Sequence, residues 1–150
     1  MQYRKILLII VFLLTACTDN NDLDPYVAYE NGDFETAREL LAPLVEAGDP
    51  KAQTHLGAIY QIEHDYTEAV KHYTSAARQN HAPAQYNLGL MLHAGRGTEK
   101  SLFQAYGWFD LAMRQGHSKA QNQIRIMSGE LTPNQNMKAR DWAKEQIIKL

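Results

Sequence analysis

Six histidines, at positions 55, 64, 72, 81, 93 and 117, are the first residues of this 150-residue chain to test for chemistry. A metal site built on one helix takes two ligands three or four residues apart, so that both side chains leave the same face. No two of the six have that spacing. They read as turn and surface histidines, and no metal is expected. The stretch Gly95-Arg96-Gly97 followed by Lys100-Ser101 carries some residues of a phosphate-binding loop. That loop needs glycine directly before the Lys-Ser pair, and Glu99 stands there with no strand before it. Its glycines are read as turn residues with positive φ. Glu63, Asp65 and Glu68 are most simply a solvated turn and an acidic helix start. No Ser-His-Asp set can be assembled without arbitrary choices. The expectation is therefore no catalytic residue, no cofactor and no enzyme.

The remaining reactive side chain is the lone cysteine, Cys17. Arg4 and Lys5 precede an unbroken apolar run from Ile6 to Leu14, the pattern of an export signal. The run stops well short of the roughly 20 apolar residues that cross a bilayer. Leu14-Thr15-Ala16-Cys17 directly after it resembles the lipobox of bacterial lipoproteins. That resemblance implies cleavage before Cys17, acylation of Cys17 and membrane attachment through its acyl chains. Two or three chains hold a protein where one lets it exchange, since each buried methylene contributes about 0.8 kcal/mol. Residue 18 is threonine, with Asp19 one place later. In some bacteria an aspartate directly after the acylated cysteine retains the protein at the inner membrane, so the expectation is the outer membrane, facing the periplasm. Removing residues 1–16 takes away Arg4 and Lys5 and no acid, moving the formal charge from −2 to −4. A mildly acidic chain lacks the basic footprint that nucleic acid requires.

The elements that must position any binding residue come next. Residues 17–24 read as the lipidated N-terminus and a polar tether, whose stretch from Thr18 to Asp24 reaches at most about 23 Å at ~3.3 Å per residue. Beyond it, Asn31-Gly32-Asp33-Phe34 followed by Ala37, Leu40, Leu41 and Leu44 is a turn feeding an amphipathic helix. The helix ends near Gly48, and Asp49-Pro50 begins the next. Ala52-Gln53-Thr54-His55-Leu56-Gly57 then recurs as Ala84-Gln85-Tyr86-Asn87-Leu88-Gly89, and more weakly from Ala120-Gln121. The boundaries expected are a half-repeat 25–48, unit one 49–81, unit two 82–117, a partial unit 118–128 and a capping helix 133–149, all in one domain 25–150. Small residues at Gly57, Ala76, Gly89 and Ala112 allow close helix approach, with Tyr60, Tyr73, Trp108 and Phe109 filling the space between hairpins. Trp108 and Trp142 both fall on apolar faces and are expected in the core.

The leucine-glycine pair, the aromatic three residues after Gly57 and the Ala69, Tyr73, Ala76 set resemble the tetratricopeptide pattern. The longer loop bearing Gly95-Arg96-Gly97, with the Ala-Gln-x-x-Leu-Gly opening, is similar to the related Sel1-like repeat. This resemblance, covering about residues 32–128, implies an all-α fold: a right-handed α-solenoid of antiparallel helix hairpins with a C-terminal capping helix. It also implies a concave face lined by the first helices. Polar residues there, Gln53, His55, Gln85, Tyr86 and Asn87, are the expected partner-binding set. Gln53 and Gln85 recur and have an alternative use, bonding neighbouring backbone, whereas His55 and Asn87 differ at one equivalent position, as suits ligand choice. The function expected is a lipid-anchored scaffold or assembly factor that binds a protein or peptide in an envelope complex for secretion, pilus formation or polysaccharide export. The alternative is an accessory protein that binds peptidoglycan or polysaccharide, or regulates a cell-wall enzyme.

Overall fold

The computed structural model of the protein describes residues 24–127 and 129–147. The export signal, Cys17 and most of the tether lie outside the described residues. Within them are eight α-helices: α1 (Pro25–Glu30), α2 (Phe34–Glu46), α3 (Pro50–Ile62), α4 (Tyr66–Arg78), α5 (Ala82–Ala94), α6 (Leu102–Arg114), α7 (Ser118–Ile126) and α8 (Pro133–Gln146). They form an all-α solenoid in which each helix packs on the next in sequence from α1 to α7.

A sixteen-residue beat written into the sequence sets this stack. Helices α2 to α5 are each 13 residues long. Asp33, Asp49 and Asp65 stand sixteen apart, and each carboxylate accepts the backbone N–H three residues on, at 3.1, 2.6 and 3.2 Å. Each such cap is worth about 1 kcal/mol. One residue before each of these caps, and again before His81 at the start of α5, the chain turns through a left-handed position, occupied in order by Gly32, Gly48, His64 and Asn80. Left-handed backbone costs any residue with a Cβ, asparagine less than most.

The beat breaks after α5, where Gly95–Ser101 replaces the usual three-residue turn. This longer loop folds back on the start of α4. A Cβ on Gly97 would lie 2.1 Å from the Tyr66 carbonyl oxygen, so only glycine fits against that backbone. The Arg96 guanidinium stands 5.6 Å from the centre of the Tyr66 ring. Unit two thus braces unit one through its loop as well as through its helices.

Helix α6 is the core of the molecule. All eight residues from Ala105 to Ala112 are buried, because α5, α7 and α8 each cover a side of it. The Thr132–Pro133 start of α8 carries a full capping box with Gln135. The helix does not close the stack beyond α7; it lies along α6. Small residues decide the place. A Cβ on Gly107 would come within 2.6 Å of the Ala139 carbonyl oxygen, and Ala139 and Ala143 are both fully buried. Trp142 meets Trp108 edge-on with ring centroids 5.9 Å apart. Trp108 is in the core as expected, while Trp142 is only half-buried. Asp110, buried within α6, accepts from Arg114 Nε at 2.5 Å, and Arg140 Nε of α8 stands 2.8 Å from its other oxygen. The Arg140 contact is an ion pair without a well-directed N–H bond, and that arginine also donates to the Tyr106 hydroxyl at 2.9 Å.

Candidate functional site

Two of the five expected binding residues hold the fold instead. Gln85 is 0% exposed and its amide is fully engaged. It donates to Ala77 O at 3.3 Å and to Asn80 Oδ1 at 3.1 Å, and it accepts from Gln115 Nε2 at 2.8 Å. Gln53 is 7% exposed and accepts from Gln79 Nε2 at 2.9 Å. The two bonds are one device in two copies, a glutamine on the first helix clasped by a glutamine just after the second. In each copy the clasping amide also reaches the carbonyl four residues back, Ser75 O or Leu111 O. Burial and these bonds commit Gln85 wholly and Gln53 through its oxygen to the fold, so both leave the candidate set. Freeing either would take a hydrogen-bond partner from the groups around it, at about 1–3 kcal/mol.

The other three are half-buried on outward-facing turns of the first helices. His55 is held by its own fold: Nδ1 donates to Lys51 O at 2.9 Å, and the ring meets Tyr26 and Tyr29 edge-on at 4.7 and 5.1 Å. Lys51 Nζ sits 3.4 Å above the Tyr26 ring. Helix α1 is thereby seated on α3 through His55, which keeps one accessible edge. Tyr86 stacks on His117 at 4.6 Å and tilts against Phe109 at 5.8 Å. Beside it, the amide of Asn87 enters no hydrogen bond among the described residues, so it is the most available polar group of the five.

The inter-unit histidines belong to this face. His81 and His117 are the N-caps of α5 and α7. Each meets the same register position of the preceding first helix, Thr54 or Tyr86. Thr54 donates to Pro50 O at 2.7 Å, which leaves its oxygen to accept from His81 Nδ1–H at 2.8 Å. His117 stacks on Tyr86 and accepts from Ala120 N at 3.3 Å. Burial lowers both imidazole pKa values below the usual 6.5; nearby His55 and Lys51 add to the effect at His81 against the opposing pull of Asp49, and Lys119 adds to it at His117. Both are neutral at pH 7. Among the described residues no three His, Cys, Asp or Glu side chains group as metal ligands would.

Aligning the three first helices by their Ala-Gln openings puts equivalent outward positions in rows. One row is His55, Asn87, Gln123 and the next is Ala58, Leu90, Ile126. Exposure grows along the second row: Ala58 and Leu90 are half-buried, while Ile126 is 64% exposed. Ile62, at the end of α3, is 47% exposed. The strip therefore combines amides, an aromatic ring and uncovered aliphatic groups, with Lys51 and Lys119 at one border. Such a surface presents hydrogen-bonding and apolar groups side by side.

The hairpins and their clasped glutamines define a helical-repeat protein. More narrowly, the Sel1 repeat model matches residues 50–81 and 82–117, and the chain carries two Sel1 repeats. Solved structures agree. A Sel1 repeat protein from Oxalobacter formigenes is 25% identical with a TM-score of 0.65, over 81% of this chain and 54% of that one. The structure of c5321, a protective antigen present in uropathogenic Escherichia coli strains and displaying an SLR fold, is 27% identical with a TM-score of 0.60, over 77% of this chain and 30% of that one. This chain thus spans about half the length of the first and less of the second. Among curated proteins none matches. Sel1 repeats generally mediate contacts between proteins.

Proposed function

We propose that this is a lipid-anchored scaffold of the bacterial envelope, held through acylated Cys17 at the outer membrane and facing the periplasm, that binds a protein or peptide partner while a larger envelope complex is assembled. The observation that carries the binding half is the first-helix strip, where Asn87, Tyr86, Leu90 and Ile126 offer polar and apolar contacts together. An amide-bearing strip suits an extended peptide or one helix. Confinement on a membrane raises local concentration, so modest affinity suffices. The anchoring half rests on the lipobox-like Leu14-Thr15-Ala16-Cys17 sequence, and the described residues contain no helix long and apolar enough to cross a membrane.

Both halves are open to test in one strain. A photo-crosslinking residue at Asn87, activated in living cells and followed by mass spectrometry, is expected to capture one envelope protein, and the adduct is expected to vanish with Tyr86→Ala. Adducts spread over abundant envelope proteins and unaltered by Tyr86→Ala would sink the strip as the binding face. Feeding a clickable fatty acid is expected to label the wild type and not Cys17→Ser; equal labelling of both would remove the anchor.

A further inference from the structure

We propose a second binding site, on the side of the second helices, for one apolar side chain of a peptide that carries a carboxylate next to it. A pocket of about 190 Å³ opens between α4, α6 and α8. Its floor is Leu88 and Leu92 of α5 with Trp108 of α6, all nearly buried, and Trp142 of α8 forms a wall. An apolar cavity of about 150 Å³ already accepts a benzene ring. The pocket therefore has room for a leucine, methionine or phenylalanine side chain.

It is distinct from the first-helix strip. At about 100° per residue, Leu88 and Leu92 point within about 40° of each other, and Tyr86 points about 160° away from Leu88. The rim supplies the second half of the recognition. Thr74 and Gln104 give a hydroxyl and an amide suited to peptide backbone. Arg78, in the last turn of α4, is exposed and takes part in no ion pair among the described residues. A guanidinium at the mouth of an apolar pocket selects a carboxylate held beside the buried group, since Arg pairs with carboxylate through two parallel bonds. A side chain seated on Leu88, Leu92 and the two indoles also has the aromatic contact usual at an interface hot spot.

The test starts with the full-length protein in detergent and a library of short random peptides. Enriched peptides are expected to share a large apolar residue adjacent to Asp or Glu. Both tryptophans of the chain border the pocket, so binding is read as a saturable change in their emission. Thr74→Tyr, which fills the pocket from its rim, and Arg78→Glu, an exposed change, are each expected to weaken binding about tenfold or more. Both should keep the wild-type melting temperature, and Asn87→Arg on the strip should leave this binding unchanged. Exchanging the peptide's acid for lysine is expected to weaken binding to the wild type and restore it to Arg78→Glu. Enriched peptides lacking the pair, or binding indifferent to Thr74→Tyr, would overturn the proposal. So would tighter binding after removal of residues 148–150, which would make the chain's own end the occupant.

Discussion

Gly89→Ala isolates the contact that sets the spacing between the two helices of unit two. A Cβ there would meet three atoms of the Phe109 ring, at 2.6, 2.8 and 3.0 Å. Phe109 is 0% exposed and also tilts against Tyr86, so the ring has no free space to enter. Alanine favours a helix interior over glycine by about 1 kcal/mol. Overpacking a filled core costs about 1–3 kcal/mol. With the ring hemmed in on every side the clash lies in the upper part of that range and wins, and a net loss of up to about 2 kcal/mol corresponds to a fall of up to about 8 °C in melting temperature for a domain of this size. Gly57→Ala should lose less, since its nearest atoms, two carbons of the Tyr73 ring, stand at 2.9 Å. Calorimetry of Gly89→Ala, Phe109→Leu and the double variant gives the decisive number. The smaller side chain relieves the clash, so a coupling of at least about 0.5 kcal/mol is expected. A Gly89→Ala protein that melts above the wild type, or effects that simply add, would refute the argument.

Three further expectations follow from the same geometry. Gln85→Ala should cost about 2 kcal/mol in urea unfolding, because Gln115, Asn80 and Ala77 lose a buried partner, while Asn87→Ala should be close to neutral. Stability should be complete above pH 6.5 and fall as pH drops below it: burial lowers the folded pKa values of His72, His81 and His117, so the unfolded chain takes up protons first. Melting curves between pH 7.5 and pH 5, about the unperturbed histidine value, should flatten in a His81→Gln, His117→Gln variant. Asp110→Ala should cost about 2–3 kcal/mol, less than a wholly buried pair since Arg114 and Arg140 still reach water, and hydrogen exchange should rise first in α8.

The helix order and the repeat phase were legible because they rest on local signals: evenly spaced aspartate caps, left-handed turn positions and the recurring Ala-Gln opening. The role of Gln53 and Gln85 was harder to read, since an amide serves a partner and a clasp equally well. The deciding signal was a second recurrence, Gln79 and Gln115 at the end of each second helix. The seat of α8 was less legible still. Its apolar stripe says that it packs but not against what, and the one clue was Gly107, a glycine inside a helix with no turn to make. The pocket beneath Trp142 depends on that docking, and for this reason Arg78 and Trp142 carried no signal as binding residues.

The position of α6 also has a consequence for how the chain comes into being. In most repeat arrays each unit is complete once its neighbour is made, and the fold grows in step with synthesis. Here the outer wall of α6 is supplied by residues 133–146. A nascent chain ending after unit two would hold Gly107, Trp108 and the charge of Asp110 open to water. The interior around α6 is therefore closed only when residues 133–146 have emerged and docked, so unit two is completed by a segment that lies outside it in sequence.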